Sequence, residues 1–307
     1  MGLATAGEIL IRVVIPAELK RTIEGCEAEA FRDLFAAAPQ EYATEVGLSL
    51  VCVNEVTATV CRDIPFVHFN AVLELGLARS VDEETLDGLL AMYATAGVAS
   101  PAVLLPEGSA STRLLEWLRA RGFSPRGAWD RIYRSAAAAR LADLEPTSTT
   151  EARESSANQV GDRGEDGDQW RVSVVTKSTA AEWAAFLEST YRMKTAPWLC
   201  ALVDRPGWSH YVLREAGEIL AARSAFVAAN GHAWFGIDAP VPGLMTQRFD
   251  RDLALCRRMV RDLDEHGACA IVTDVEACSP ERATAPYVNF ASLGFEHAYA
   301  REIWRRG

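Results

Sequence analysis

Residues 233–275 read AWFGIDAPVPGLMTQRFDRDLALCRRMVRDLDEHGACAIVTDV. Asn230-Gly231, just before, is a hairpin turn signal, so Ala233–Ala239 is expected as a strand leaving a tight turn. From Phe249 to Glu265, Leu253, Cys256, Met259, Val260 and Leu263 recur every three or four residues. That spacing is the stripe of an amphipathic helix. Gly267 ends it, since glycine takes the left-handed conformation of a helix C-terminus without strain. Ala270–Val275 is β-branched in its middle and reads as a second strand. Strand, loop, long helix and strand, in that order, decide the fold.

Reading outward, a helix near Tyr287–Leu293 stops at Gly294, and a last strand runs from His297 to Trp304. Upstream, Trp170–Val175 is a strand. A helix capped by Ser178 or Thr179 carries Trp183, Phe186 and Leu187. A short helix starts near Pro197 and stops at Pro206-Gly207. His210–Arg214 and Ile219–Ala228 are strands around a turn at Glu215–Glu218. The first half repeats the later part of this order. Strand residues fill Pro65–Leu77, and a helix spans Asp82–Gly97, capped by Ser80. A strand follows at Ala102–Leu105, then a helix at Ser111–Arg121 stopped by Gly122-Phe123, and a strand at Ala128–Tyr133. Hairpins mixed with helices make this an α+β fold, with two related mixed, mainly antiparallel sheets flanked by helices.

The two halves are separated by composition. The chain has 307 residues and a net charge of -11. Leu141–Asp168 holds eight acids against two bases, so just over half of that charge sits in under a tenth of the chain. With almost no aliphatic residue after Leu144, the segment has too little apolar surface to offset its ordering entropy. It is expected to be a flexible linker (141–169) between domains at 1–140 and 170–307. An acidic chain lacks the clustered cations that phosphate backbones require, which argues against a nucleic-acid partner. Seven irregularly spaced cysteines suit reduced thiols, and no apolar run reaches the roughly 18 residues of a membrane span. A cytoplasmic protein is the expectation. His266, Cys269 and Cys278 have no recognised zinc spacing, so no metal is expected.

This order resembles the GNAT superfamily of CoA-dependent N-acyltransferases. The resemblance is carried by the hairpin-linked strands, by Trp234–Ala239 leading into a loop and long helix, by Ile271–Val275, and by the helix ending Ser292-Leu293-Gly294-Phe295. Pro197-Trp198-Leu199, Arg205-Pro206-Gly207-Trp208 and Pro286-Tyr287-Val288-Asn289 resemble its two-domain members. The resemblance implies an acyl-CoA co-substrate, acetyl-CoA first, lying between the parallel strands Ala233–Ala239 and Ala270–Val275. Ile237, Asp238, Ala239, Val241, Gln247, Arg248, Arg251 and Asn289 are its expected contacts. A glycine-rich loop at the start of the long helix would hold the pyrophosphate on free N–H groups. This chain departs from that pattern. Gly243 is the loop's one glycine, Gln247-Arg248-Phe249-Asp250 stand where close backbone approach is wanted, and Pro240 has no N–H to donate.

Transfer to an amine needs a base, oxyanion stabilisation and an acid for the leaving thiolate. Asp274 is the expected base, since a desolvated carboxylate titrates nearer neutrality, or else a strand-end carboxylate in water. Glu276 shares its strand face and is assigned to the substrate. The resemblance places a tyrosine acid four residues before Gly-Phe, where Phe290 stands, so Tyr287, one turn earlier, is the candidate for the role, or else a half-buried packing residue. His210 is a further base, or else a hydrogen-bonded core histidine. Trp198, Trp208 and Trp234 wall an acceptor site, or else pack in the core. The implied function is acylation of a small-molecule amine. The departures leave open a non-catalytic ligand- or partner-binding module. They equally leave open a scaffold diverted to decarboxylation or to acyl groups carried by an acyl carrier protein.

Overall fold

A computed structural model of the chain describes residues 15–78, 81–136, 170–240, 249–276 and 285–307. The first half contains α1 (Ala17–Ala36), α2 (Gln40–Val46), β1 (Leu48–Val53), β2 (Val56–Cys61), β3 (Ala71–Leu73), α3 (Glu83–Thr95), β4 (Ala102–Pro106), α4 (Thr112–Ala120) and β5 (Phe123–Ser135). The second contains β6 (Trp170–Val174), α5 (Ala180–Tyr191), α6 (Ala196–Cys200), β7 (Trp208–Glu215), β8 (Glu218–Val227), β9 (His232–Ala239), α7 (Phe249–Glu265), β10 (Ala270–Glu276), α8 (Ala285–Ser292) and β11 (Glu296–Arg306). The expected linker and the loop at 241–248 lie outside the described residues.

All eleven strands join one sheet in the order β1-β2-β3-β4-β11-β5-β10-β9-β8-β7-β6. Among the described residues only β3–β4 and β9–β10 pair in parallel, so the expected mixed, mainly antiparallel sheets are present. They are also fused. The last strand of each half crosses into the other: β5 lies against β10 of the second half, and β11 against β4 of the first. β5 and β11 then pair with each other antiparallel at the centre.

Side chains alternate across each strand, so the sheet buries both faces. On one face Ala102, Leu104, Val212, Trp234 and Val272 pack with α1, α5 and α6 in a core that spans both halves. On the other, Val103, Leu105 and Trp304 pack under α3 and α4, while Ala233, Phe235 and Ile271 pack under α7 and α8. The result is a three-layer sandwich. None of the described helices is long and apolar enough to cross a membrane.

Three local differences from the sequence reading have physical causes. α3 is capped by Asp82, whose carboxylate accepts from Thr85 N; Ser80 lies outside the described residues. β5 and β11 extend beyond Ala128–Tyr133 and His297–Trp304, because they are central strands that pair on both sides. Their buried Arg131, Arg134 and Arg301 disguise them as surface sequence. α1 is a full helix whose inward stripe includes Glu24 and Glu27 among Ile23, Cys26, Phe31 and Leu34. Two acids in the stripe break the apolar period that announces a helix.

Candidate active site

β9 and β10 pair from Ala270↔His232 to Val272↔Trp234 and then part. At the point of parting β9 bulges: the step from Ser224 to Ala222 on β8 matches the longer step from Gly236 to Ala239. Ile237 carries the bulge with φ 51, a left-handed conformation that a β-branched residue adopts only under constraint. Gly236 is required beside it, since a Cβ there would lie 2.0 Å from the Trp234 ring. A cavity of about 400 Å³ opens on this gap. Ile237, Asp238, Thr273 and Glu276 line it from the parted strands. Leu187, Tyr191, Met193 and Leu199 line it from α5 and the segment into α6. The first half contributes Glu27, Phe31, Phe66, His68, Phe69 and Trp129.

Strand register builds the floor. Asp274 sits opposite Arg131, which sits opposite Tyr299; in the next row Glu276, Trp129 and Arg301 are partners. Residues two apart share a face, so both rows look toward α1. From α1, Glu24 and Glu27 meet them. Glu27 Oε2 takes Arg131 Nη2 at 2.5 Å and Arg301 Nη1 at 2.6 Å. Arg301 Nη1 also reaches Asp274 Oδ2 at 2.7 Å, and Arg131 Nε lies 3.2 Å from Asp274 Oδ1. Glu24 faces both guanidiniums at 3.3 Å and accepts from Tyr299 Oη at 2.8 Å. Three carboxylates share two guanidiniums, and both arginines are fully buried.

The shared charge is not divided evenly. Burial pushes the Asp274 carboxyl up, against Arg131 and Arg301, to about 6. Burial also opposes ionisation of Glu27, yet Arg131 and Arg301 outweigh it and hold Glu27 down at about 2. Two acids pushed apart in this way can take different roles, one a permanent anion and one a proton acceptor. Burial lowers His68 to about 4, so it is a neutral ring, stacked 4.5 Å from Trp129. Donor atoms of Glu27, His68 and Asp274 lie within 4.8 Å of one another, a set able to hold a cation. Such an ion would have to compete with two guanidiniums already on the carboxylates.

The structure brings Asp274, Glu276, Trp234, Ile237 and Asp238 to the cavity wall. Asp238 also lies 3.2 Å from the buried Arg223, which bonds Asp252 in the first turn of α7. Ala239 is fully buried at the end of β9, and Asn289 is buried in α8. Arg251 turns away to Glu215 at the end of β7. His210 is off the cavity: its ring is wedged against Trp183 and Trp208, its Nδ1 meets Ser224 Oγ at 2.8 Å, and burial lowers it to about 4. Trp198 and Trp208 are core anchors, their indole N–H groups bonding Leu34 O and Asp33 Oδ1 of α1. Phe290 packs on Phe295 in the core. Val241, Gln247, Arg248 and the Tyr287 side chain lie outside the described residues. The sequence reading missed Glu24, Glu27, His68, Trp129, Arg131 and Arg301. No local pattern announced them, since β5 and β11 mix arginines with other polar residues and look like surface sequence.

Parallel strands that part beside a β-bulge, flanked by helices, give this chain a fold similar to that of a solved GCN5-related N-acetyltransferase. The GCN5-related N-acetyltransferase from Kribbella flavida matches with a TM-score of 0.54 at 13% identity, over 92% of this chain and 95% of that one. The enzyme of the same description from Sphaerobacter thermophilus gives 0.48 at 13%, over 97% and 96%. A tandem GNAT protein from the clavulanic acid biosynthesis pathway gives 0.45 at 14%, over 77% and 74%. No protein-family model and no curated protein matches the chain. At these identities the likeness is one of fold, and it rests on the first of the three.

Proposed function

We propose that the chain is an N-acyltransferase that moves an acyl group, acetyl first, from a CoA thioester to a small-molecule amine in the cavity between β9 and β10. The observation that carries this reading is Asp274, a carboxylate of raised pKa, at the opening of two parallel strands that part beside a bulge. Ile237 and Asp238 on the bulge would hold the donor's arm, and the thioester supplies an acyl carbon open to attack. Asp274 takes the ammonium proton of the acceptor. The freed nitrogen forms the C–N bond as the C–S bond breaks, and its remaining surplus proton ends on the departing sulfur. Tyr287, on α8, is the candidate donor of that proton. The first half is part of the site, since α1 and β5 build its floor.

The test is thiol release from acetyl-CoA by the purified chain across a panel of amines. Turnover that requires both substrates is expected, with D274N slower by about 10²–10⁴-fold, the usual worth of a general base. No CoA binding and no thiol release with any amine would overturn the reading.

A further inference from the structure

We propose that the acceptor is a primary amine borne on a compact apolar body of aromatic character, with no carboxylate of its own. The inference rests on the acyltransferase reading for its chemistry and on the cavity alone for the choice of ligand.

Three observations carry it. First, among the described residues the charged groups lining the cavity are Glu27, Asp238, Asp274 and Glu276, with no lysine or arginine. The guanidiniums beside these acids among the described residues, Arg131, Arg301 and Arg223, are buried and already hold carboxylates. An acceptor bearing a carboxylate would face like charge on the described wall, so amino acids are expected to bind more weakly than the parent amines. Second, Glu27 is buried against Arg131 and Arg301 through Oε2 alone, and its other oxygen, Oε1, has no hydrogen-bond partner. A buried acceptor without a partner is costly, and an ammonium N–H satisfies it with a charge-assisted bond. Third, the remaining wall is rings and aliphatic chains. Phe31 lies 5.4 Å from Trp234, Phe66 5.4 Å from Phe69, and His68 is stacked on Trp129. Ring faces favour an apolar aromatic body and also a cation held over them. About 400 Å³ is near the small end of ligand sites, which run from about 300 to 1,000 Å³, and the acyl group takes part of it.

The experiment measures amine binding without any acyl donor, through quenching of tryptophan fluorescence, since Trp129 and Trp234 line the cavity. The probes are 2-phenylethylamine, butylamine, phenylalanine and spermidine. Saturable quenching by 2-phenylethylamine at least about tenfold tighter than by phenylalanine or spermidine is expected. E27Q should weaken it by about tenfold or more. Because E27Q disturbs a buried network, F66A serves as the second variant. It leaves the carboxylates in place, and should weaken 2-phenylethylamine about tenfold while changing butylamine by less than about threefold. Tighter binding of phenylalanine or spermidine, or no binding of 2-phenylethylamine, overturns the inference. Transfer from acetyl-CoA is then measured separately. If 2-phenylethylamine binds as expected but is not acylated, the ligand class stands and the acyltransferase reading falls. If spermidine or phenylalanine is the better acceptor by kcat/KM, the transferase stands and this inference falls.

Discussion

Asp274 and Glu27 touch the same two guanidiniums yet do opposite things. Glu27 is reached at 2.5 and 2.6 Å and stays an anion. Asp274 has one close contact at 2.7 Å and one at 3.2 Å, and burial wins, raising it from 3.8 to about 6. The sign of the pH dependence follows. A base works as the carboxylate, so kcat/KM should be level above about 6 and fall tenfold per unit as pH drops below it. D274N should remove that limb along with most of the rate; a limb that persists in D274N would assign it to another group. The same shift has a stability consequence. The folded chain binds the Asp274 proton more tightly than the unfolded chain, so this contribution is present below 3.8 and is lost as pH rises through about 6.

α1 is the element that turns a sheet into a site. Its second and third turns deliver Glu24 and Glu27 to the guanidiniums, and its far end is locked to the second half. Asp33 accepts from Arg205 at 2.6 and 2.9 Å and from Trp208 Nε1 at 2.8 Å, while Trp198 Nε1 donates to Leu34 O at 2.6 Å. D33A strands the Trp208 N–H and should cost about 1–3 kcal/mol. Urea denaturation with an unchanged m-value would check this, and D33N, which keeps an acceptor, should recover part of the loss. α1 also marks where the sequence stopped being legible. The strands and helices of the second half announced themselves through β-branched runs, a five-residue apolar stripe on α7 and Gly-ended helices, and Asp274 followed from its strand. α1 did not, because carboxylates in a stripe look like a solvated face until their cations are known. Those cations sit about a hundred residues away on β5 and at the far end of the chain on β11, in strands whose arginines look like surface. No local pattern links them; register across the central sheet does. His210, Trp198 and Trp208 lie off the cavity for the converse reason: polar or aromatic residues that partner one another in the core look functional in sequence.

At the scale of the molecule, the exchange of β5 and β11 means that neither half holds a complete sheet. A first half alone would lose β11 from between β4 and β5 and β10 from the other side of β5; a second half alone would leave β10 unpaired beyond β9. Each would also lose the ion pairs made across the halves, keeping only Arg131 with Glu24 and Glu27 in the first and Arg301 with Asp274 in the second. Arg131 belongs to the first half and Asp274 to the second, while Arg301 belongs to the second and Glu24 and Glu27 to the first. Removing one side of a buried ion pair typically costs about 3–5 kcal/mol, a large share of a domain's total stability of about 5–15 kcal/mol. Residues 1–155 and 156–307, expressed separately, are therefore expected to be aggregated or unfolded by circular dichroism and gel filtration. Co-expressed, they should associate into one particle of the intact chain's size, because the cut lies in the acidic segment between β5 and β6 and breaks no strand pairing among the described residues. The noncovalent complex should keep the cavity and its amine-induced fluorescence change. Independent folding of either piece, with a cooperative unfolding transition of its own, would show that the central exchange is not what holds the halves together, and that the buried carboxylate–guanidinium cluster is dispensable to the fold.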